Sequence, residues 1–240
     1  MTQHDTMDAT LVLVHKKPEL GVGKQRLATR FGTALTLQIA QALLACAFED
    51  AADWPGPVVL APANQNDECW ARSCAKRFSS QCKVVPQISG NLGQRLNVLD
   101  DTLRREKEKL MRLVYIGSDS PGLKKEDYMT VKAGLHENKA VLIPATDGGV
   151  VLMANRSRWP DLSNLPWSTD QLGAALSKLC QIEMGSVKKL RKGYDIDEPE
   201  DFFRLIDTLK DDQRPARRAL CALASDVALT LKISHNNMHA

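Results

Sequence analysis

Short apolar runs rich in β-branched residues alternate along the chain with longer segments in which apolar residues recur every three or four positions. The short runs are typical of strands buried on both faces, and the longer period is typical of helices with one apolar side. The pattern predicts strands at residues 11–14, 58–60, 82–85, 113–116, 140–143 and 150–153. It predicts helices at residues 35–46, 67–78, 92–109, 125–135, 169–184, 199–209 and 216–233.

Strands that alternate with helices indicate an α/β fold in which a mixed, mostly parallel sheet is covered on both faces. In such a sheet, ligands bind to the loops at the carboxyl ends of the strands. Residues 211–215 interrupt the pattern, so we expect one domain over residues 10–210 and a C-terminal helical extension over residues 211–240. The apolar stripe of the last helix must be buried against this domain or against a second subunit. The sequence leaves open whether the protein forms a homodimer through this helix.

Composition and charge exclude several classes of protein. The 240 residues are 43% hydrophobic and 25% charged, as in ordinary globular proteins, which excludes a largely disordered chain. The 32 Lys and Arg against 29 Asp and Glu leave a net charge of only +3, so we expect no nucleic-acid partner. Four basic residues between Arg104 and Lys109 alternate with two glutamates, as on a solvated helix face.

The apolar segments and the cysteines bear on the compartment. No apolar run approaches the roughly 18–20 residues needed to cross a bilayer, so we expect no membrane span. The N-terminal segment is polar and acidic, unlike the basic and then apolar pattern of an export signal. The six cysteines are scattered, without the paired spacing of a zinc site. We therefore expect a cytoplasmic protein with reduced cysteines.

The loop after the first predicted strand is strongly basic. Residues 15–30 hold five basic residues and one acidic residue, a local net charge of +4. Gly21 allows close backbone approach, and Lys16, Lys24 and Arg26 can neutralise a di- or triphosphate. The spacing is not that of a P-loop, because Lys24 is not followed by the Ser or Thr that would hold magnesium. The alternative is a solvated basic loop that leads into a helix.

The loops after the third and fourth predicted strands carry further candidates. Gly93 and Arg95 can present a backbone amide and a guanidinium to a base or a phosphate; the alternative is a glycine turn with a helix cap. Asp119 would project into the ligand crevice, where a hard carboxylate oxygen binds Mg²⁺ or Mn²⁺. Ser120 and Pro121 fit a helix cap followed by proline at the first helical position, but that pattern does not explain Asp119.

Acidic residues occupy two later loops. Asp147 with the two glycines after it has the pattern of a tight hairpin turn; alternatively, these residues face a sugar or another acceptor. Asp197 with Glu200 fits the capping box of the helix that follows. Because one oxygen ligand rarely holds Mg²⁺, Asp119 needs a distant partner, and either Asp195 or Asp197 could supply it.

In chain order these segments resemble those of the DUF2064 family. The matching motifs are Lys-x-Pro-x-x-Gly-x-x-Lys-x-Arg-Leu, Gly-x-Leu-Gly-x-Arg, Gly-Ser-Asp-Ser-Pro-Gly-Leu, Asp-Gly-Gly, Pro-Trp-Ser-Thr and Asp-Ile-Asp-x-Pro-Glu-Asp. They cover the chain from about residue 11 to residue 205. The family is described as glycosyltransferase-like or nucleotidyltransferase-like. The resemblance therefore implies a three-layer α/β/α, Rossmann-like GT-A fold, the fold of nucleotide-diphospho-sugar transferases.

The resemblance also implies roles for the matching residues. Lys24 and Arg26 would face the nucleotide phosphates. Asp119 would bind the metal, with Asp197 at the position of the second metal ligand. Asp147 would contact the acceptor, so the catalytic candidates are Asp119, Lys24 and Asp147. The remaining substrate-binding candidates are Lys16, Gly21, Gly93, Arg95, Gly148, Gly149, Trp167 and Ser168; for the last two, the alternative is a loop that ends in a helix cap.

The expected activity is transfer of a nucleotidyl or glycosyl group from a nucleotide or nucleotide-sugar to a small-molecule acceptor, with Mg²⁺ or Mn²⁺ as cofactor. The sequence does not separate the two transfers. Three positions depart from the family pattern, because Leu20 stands for a Pro, Gln25 for a Thr and Val150 for a Tyr. The alternative function is therefore a catalytically weak or inactive nucleotide-binding protein that keeps the GT-A fold.

Overall fold

The computed structural model describes residues 9–78, 82–105 and 111–237. The end of the helix predicted at residues 92–109, with the basic residues Lys107 and Lys109, lies outside the described residues. The described chain divides into two compact units. Unit 1 comprises the described parts of Met1–Lys17, Ala51–Gly117 and Leu123–Tyr194, and unit 2 those of Pro18–Asp50, Ser118–Gly122 and Asp195–Ala240. The division at residue 210 expected from the sequence stays a prediction.

One sheet of seven strands forms the centre of unit 1. In chain order the strands are β1 (Thr10–His15), β2 (Val58–Pro62), β3 (Cys82–Val84), β4 (Leu113–Ile116), β5 (Ala140–Pro144), β6 (Val150–Asn155) and β7 (Val187–Lys189). Their order across the sheet is β3-β2-β1-β4-β6-β5-β7. Strand β6 is antiparallel to both of its neighbours, and the other pairs are parallel. The prediction of a mixed, mostly parallel sheet is confirmed.

Strand β7 is missing from the predicted elements. It has three residues, and two of them are the exposed lysines Lys188 and Lys189. A strand at the edge of a sheet has only one neighbouring strand and can be exposed, so it needs no apolar run. Lysines on an edge strand oppose its pairing with another chain. Hydrophobic periodicity therefore carries no signal for β7.

Seven helices lie in the described chain. They are α1 (Gln25–Asp53), α2 (Glu68–Ala75), α3 (Leu92–Arg105), α4 (Lys125–Glu137), α5 (Leu172–Met184), α6 (Pro199–Leu209) and α7 (Pro215–Asn237). A 3₁₀ turn at Gln65–Asp67 precedes α2, so this helix is shorter than the predicted 67–78. Helix α5 begins three residues later than predicted, and the bounds of α6 agree with the prediction.

Helix α1 is longer than the helix predicted at residues 35–46, and it is more apolar than the sequence analysis expected of any segment. By length and composition it could cross a membrane, so the statement that no apolar segment approaches that length is wrong by this criterion. The observation is weak evidence for a membrane, because core helices of water-soluble proteins pass the same test. Gly32 interrupts the helix with φ 78° and ψ 162°. Near its C-terminal end, Glu49 and the buried Asp50 both accept hydrogen bonds from Arg217.

A buried polar network crosses the apolar core of unit 1. The carboxylate of Asp100 accepts hydrogen bonds from Arg104 (2.9 Å), Tyr115 (2.8 Å) and Asn155 (2.7 Å). The side chain of Arg104 is only 9% exposed. The prediction that this arginine lies on a solvated helix face is therefore wrong, because its guanidinium balances the charge of the buried Asp100. The core around the network comes from the strands, α3 and α5 and includes Val12, Leu96, Leu99, Leu142 and Leu176.

Helices α6 and α7 pack against each other in unit 2. Leu220, Ala224 and Val227 on α7 are buried. The apolar stripe of the last helix is thus covered within the chain itself over much of its length. Formation of a homodimer through α7 stays a prediction.

The imidazole of His15 is buried at the carboxyl end of β1. It is 3% exposed, and its ring meets the Trp70 ring edge-on at 5.6 Å between centroids. Burial disfavours the charged imidazolium and lowers the pKa of His15 from 6.5 to about 4, against a smaller opposing effect of a backbone hydrogen bond with Lys16. His15 is therefore neutral in the folded protein near neutral pH.

His15 should make the fold sensitive to acid. An unfolded His15 binds a proton near pH 6.5 and the folded one only near pH 4, so the unfolded state binds more protons between these values. The stability from neutral His15 is fully present above pH 6.5 and is lost as the pH falls to 4, by at most about 3 kcal/mol. Urea denaturation between pH 7 and 4 should show this loss in the wild type but not in His15→Asn. His136→Asn changes an exposed histidine and should show the same pH dependence as the wild type. An equal dependence of the free energy of unfolding on pH in all three proteins would contradict the lowered pKa of His15.

Candidate functional site

The order of the sheet reverses between β1 and β4. From β1 the chain proceeds outward through β2 and β3, whereas β4 and the later strands lie on the other side. Ligand sites in open α/β sheets form at such a reversal, on the loops that follow the two strands. The loop after β1 carries Lys24 and the turn after β4 carries Asp119, and both residues belong to unit 2. Lys24 and Asp119 lie 95 positions apart in the chain and are joined by a hydrogen bond within unit 2.

Lys24 holds two carboxylates together. Its Nζ donates hydrogen bonds to Oδ2 of Asp119 at 3.1 Å and to Oδ1 of Asp197 at 2.7 Å. Asp195 adds a third carboxylate, and one oxygen from each of Asp119, Asp195 and Asp197 lies within 4.8 Å of the others. We call these four residues the acidic cluster. The structure thus brings together Lys24, Asp119 and Asp197 as predicted, and shows that Asp195 and Asp197 are both present rather than being alternatives.

A backbone hydrogen bond connects the two segments that supply the carboxylates. The N–H of Ile196 donates to the carbonyl oxygen of Asp119 at 2.9 Å. Ile196 is fully buried, and its neighbours Asp195 and Asp197 are partly exposed. Alternation in an extended segment turns the side chains on either side of a buried residue toward the opposite face. The Asp-Ile-Asp spacing was the signal that could have identified Asp195 as a partner of Asp197.

The cap of α6 lies one residue later than predicted. Oδ2 of Asp201 accepts a hydrogen bond from the N–H of Glu198 at 2.9 Å, so Glu198 and Asp201 form the cap. The expected pairing of Asp197 with Glu200 is wrong. Helix capping therefore does not explain the aspartate at position 197. The carboxylate of Asp197 instead accepts a hydrogen bond from Lys24.

A second local expectation also fails, at the turn that carries Asp119. Helix α4 begins at Lys125, so Ser120 and Pro121 are not its cap and first residue. Ser120 is buried, and the carbonyl oxygen of Pro121 accepts a hydrogen bond from Arg217. Residues 118–122 form a turn held by tertiary contacts.

The acidic cluster carries more negative than positive charge. When ionised, its three carboxylates and one ammonium have a net charge of −2. The Lys24 side chain is 15% exposed, against 35% for Asp119 and 43% for Asp197. Burial alone would lower the pKa of Lys24, but the charges and hydrogen bonds of Asp119 and Asp197 outweigh it and raise this pKa well above its ordinary value. Lys24 therefore stays a cation, and the excess negative charge remains open to solvent.

The donor set of the cluster fits a hard divalent cation. Mg²⁺ and Mn²⁺ prefer carboxylate oxygens, and Mg²⁺ is commonly held by one or two carboxylates together with substrate phosphates. The oxygens of Asp119, Asp195 and Asp197 are close enough to share one ion. The partial exposure of these residues leaves room for ligands from a substrate.

The backbone before α1 presents Lys24 in an uncommon conformation. Lys24 has φ 48°, in the left-handed region that non-glycine residues seldom adopt. Gly21 has φ 77°, and its carbonyl oxygen accepts a hydrogen bond from the side chain of Gln25 at 2.9 Å. The glycine is needed for the backbone turn, and Gln25 closes that turn. Arg26 lies at the start of the helix and forms an exposed ion pair with Glu198 at 3.0 Å.

The remaining predicted residues belong to unit 1, and several of them contact other residues of that unit. Gly93 leaves no space for a side chain, because a Cβ there would lie 2.1 Å from the carbonyl oxygen of Leu162 and 2.7 Å from Nε1 of Trp167. Nε1 of Trp167 itself donates to that oxygen at 2.9 Å. Arg95 donates a hydrogen bond to the side chain of Gln87. Gly93 and Trp167 thus have a packing role, which does not test the predicted role in substrate binding.

The hairpin between β5 and β6 has the expected turn chemistry. Oδ1 of Asp147 accepts a hydrogen bond from the N–H of Gly149 at 2.9 Å. Gly148 has φ 95°, and a Cβ there would lie 1.9 Å from the carbonyl oxygen of Asp170. These contacts account for the Asp-Gly-Gly pattern locally. The roles of Asp147, both glycines, Lys16 and Ser168 toward a substrate stay predictions.

Comparison with known proteins identifies a family and a shared fold. The family model of an uncharacterised protein conserved in bacteria (DUF2064) matches residues 43–169 of this chain. No curated protein matches the chain. A crystal structure of a "putative nucleotide-diphospho-sugar transferase" from Desulfovibrio desulfuricans G20 is similar with a TM-score of 0.78 and 21% identity, over 92% of this chain and 98% of that one. This likeness confirms the predicted GT-A fold.

Two other solved structures are more distant. A cytidylyltransferase from Leptospira borgpetersenii has a TM-score of 0.49 and 14% identity over 95% of this chain and 96% of its own. A 4-diphosphocytidyl-2C-methyl-D-erythritol synthase from Anaerococcus prevotii has a TM-score of 0.48 and 14% identity over 81% of this chain and 92% of its own. At these scores neither structure adds to the assignment of the fold.

The ammonium of Lys24 should stabilise the metal-free protein by offsetting the repulsion between the carboxylates that it binds. We expect Lys24→Met to lower the free energy of unfolding by about 1.5–3 kcal/mol, the range for hydrogen bonds to charged groups. Urea denaturation in EDTA measures the loss, and added Mn²⁺ should recover most of it because a divalent cation can replace the ammonium. Arg26→Met removes an exposed ion pair and should change stability by less than about 1 kcal/mol. Equal losses in both variants would contradict the role given to Lys24.

Gly93 should be required for packing whether or not it contacts a substrate. We expect Gly93→Ala to destabilise the protein by about 3 kcal/mol, because the new Cβ would clash with the backbone oxygen of Leu162, which cannot rotate away. Chemical denaturation without ligand measures this loss. Val98→Ala on the exposed side of the same helix should remain within about 0.5 kcal/mol of the wild type. A Gly93→Ala protein of wild-type stability would show that the contact with Leu162 is wrong.

Proposed function

The chain belongs to the DUF2064 family, and we propose that it is a metal-dependent transferase that acts on a nucleotide or a nucleotide-diphospho-sugar. The observation that carries the proposal is the acidic cluster, in which one lysine and three aspartates converge on loops that follow β1 and β4 and on the segment before α6. A fold shared with a nucleotide-diphospho-sugar transferase candidate supports the class of reaction. Fold alone does not specify chemistry, so the cluster is the stronger support.

Asp119, Asp195 and Asp197 would hold Mg²⁺ or Mn²⁺. Bound there, the ion would supply charge neutralisation at the phosphates of the donor. Lys24 is the residue best suited to assist, since its ammonium already lies against two of the three carboxylates and remains protonated. A triphosphate or diphosphate offers oxygens of the same charge as these carboxylates, so Lys24 can turn to a phosphate once a divalent cation satisfies the aspartates.

Further cations would bind the rest of the donor phosphates. Arg26 is exposed, and its partner Glu198 is exposed too, so this ion pair can open at little cost. Lys16 is likewise exposed, and Arg95 supplies a guanidinium from α3. We assign these three residues to phosphate or nucleobase contacts, with Gly21 permitting close approach of the backbone.

The acceptor would meet residues of the later loops. Asp147 is the proposed catalytic acid or base toward the acceptor, with Gly148 and Gly149 beside it. Trp167 and Ser168 would also contact the acceptor, whereas Gly93 would present its backbone amide to a base or a phosphate, like Arg95. An acceptor phosphate would make the reaction a nucleotidyl transfer that releases diphosphate. An acceptor hydroxyl would make it a glycosyl transfer that releases a nucleoside diphosphate.

The proposed setting is the cytoplasm. Nucleotides and nucleotide-sugars are available there, and the six cysteines of the chain are free thiols, as a reducing compartment would keep them. No nucleic-acid partner is proposed.

The metal site is tested by replacing one carboxylate. Wild-type protein should gain thermal stability from Mn²⁺ together with a nucleotide or nucleotide-sugar, because ligands that bind only the folded state stabilise it. Asp119→Asn should keep the fold and lose most of this gain. Asp101→Asn is a matched control: Asp101 is 39% exposed and also pairs with a cation, Arg158, but lies outside the cluster. Equal gains in Asp119→Asn and the wild type would show that the site is assigned wrongly.

Turnover separates an enzyme from a binding protein. Any nucleotide that stabilises the wild type should be incubated with phosphorylated and hydroxylated acceptors, and the release of diphosphate or nucleoside diphosphate measured. Release that disappears in Asp119→Asn would support the transferase. Stabilisation without release across the acceptors would favour the alternative of a nucleotide-binding protein. No stabilisation by any nucleotide would contradict both.

A further inference from the structure

Helix α7 buries an arginine completely within unit 2. Arg217 has no exposed surface, which is unusual for a cationic side chain. Its side chain donates to carbonyl oxygens and to carboxylates. Five of the hydrogen bonds of its guanidinium go to four residues of unit 2. They go from Nε to the carbonyl oxygen of Pro121, from Nη1 to that of Cys46 and to Glu49, and from Nη2 to both oxygens of Asp50.

These acceptors come from two separate parts of the chain. Cys46, Glu49 and Asp50 lie near the end of α1, and Pro121 lies in the turn after β4. The carboxylates of Glu49 and Asp50 compensate the buried charge. The bond to Pro121 does not contribute to that compensation, because a carbonyl carries no net charge. It instead ties the backbone of the turn to α1 and α7 at 3.0 Å.

We propose that Arg217 is a positioning residue that holds Asp119 in register with Asp195 and Asp197. The inference rests on the proposed function in one respect, namely that these three aspartates bind the metal. The proposal does not require Arg217 to contact the three aspartates or the substrate. Arg217 acts through the backbone of the turn.

The connection from Arg217 to the cluster consists of two backbone contacts. Pro121 follows Asp119 by two residues, so fixing its carbonyl restricts the path of the chain at Asp119. The carbonyl of Asp119 accepts the N–H of Ile196, the residue between the other two aspartates. Release of Pro121 would let the turn shift and would lengthen the bond between Asp119 and Ile196. The three carboxylates would then lose their common spacing.

The residue type at position 217 follows from this geometry. A lysine has one nitrogen, which cannot reach a carbonyl on one side and both oxygens of Asp50 on the other. An apolar residue of similar volume would leave Asp50 buried without a cation, at high cost. The guanidinium of an arginine has several donors in fixed directions, so it can donate to the carbonyl oxygen and also supply a cation to Asp50. Arg217 also lies outside residues 43–169, the part of the chain matched by the family model.

The test compares Arg217→Lys with Arg214→Lys. Arg214 is a matched control, since it donates to the same Asp50 and to Asp212, at 24% exposure of its side chain. The first readout is hydrogen exchange of the Ile196 amide, measured without metal. Arg217→Lys should accelerate it by about tenfold relative to core amides of β1, the equivalent of one lost hydrogen bond. Arg214→Lys should leave the ratio unchanged.

The second readout is the affinity for Mn²⁺ alone, measured by titration of the free ion. Arg217→Lys should bind about tenfold more weakly, as for other residues that orient metal ligands, and Arg214→Lys should match the wild type. Unchanged exchange at Ile196 in Arg217→Lys would overturn the proposal, as would equal effects of both variants. If Arg217→Lys does not fold, Arg217→Gln, which keeps an N–H donor without the charge, is judged by the same ratio.

The two proposals fail in different ways. A wild type that binds no Mn²⁺, with Ile196 exchange still accelerated in Arg217→Lys, would overturn the metal site and uphold the positioning role. A wild type that binds Mn²⁺ with the same affinity as a folded Arg217→Lys would overturn the positioning role and uphold the metal site.

Discussion

One ammonium group between two carboxylates connects the parts of the chain that form the candidate functional site. Lys24, Asp119 and Asp197 lie in three separate segments, and the hydrogen bonds of Lys24 join all three. Carboxylates so close together would repel each other without a cation, and the ammonium of Lys24 neutralises part of their charge. A net negative charge remains, because Asp195 adds a third carboxylate. The proposed divalent cation would neutralise this net negative charge of the acidic cluster.

The contacts around the acidic cluster restrict the orientation of its carboxylates in addition to stabilising the fold. Glu198 and Asp201 cap α6 immediately after Asp197, and the Ile196 amide binds the carbonyl of Asp119. A cap and a backbone hydrogen bond each contribute only about 1 kcal/mol to folding. Their larger effect is to restrict where the carboxylates can point. The left-handed backbone of Lys24 fits the same description, since local strain is tolerated where surrounding contacts determine the geometry.

Predictions from local sequence patterns were wrong where tertiary contacts competed with those patterns. Asp197 and Glu200 have capping-box spacing, yet the cap forms one residue later because Asp197 is engaged by Lys24. Ser120 and Pro121 look like a helix start, yet the turn is held by Arg217 from the far end of the chain. Arg104 sits in a charged run that suggests solvent exposure, but it pairs with the buried Asp100. In the first two cases a partner distant in sequence decides which of two local options is realised, and Arg104 also has a distant partner, since it donates a hydrogen bond to the side chain of Asn155 at 2.9 Å.

The sequence by itself determined the strands that lie within the core, most helices and the mixed α/β class, because burial imposes a hydrophobic period that can be read without a structure. It also singled out Lys24 and Asp119, since ligands of an α/β sheet bind to the loops that follow its strands, whereas it left Asp195 and Asp197 as alternatives and only the family resemblance favoured Asp197. Only the tertiary structure decided that β7 exists, that Asp195 joins Asp197, and that Arg217 reaches the turn of Asp119. These features depend on distances between residues far apart in the chain, and local periodicity contains no information about such distances.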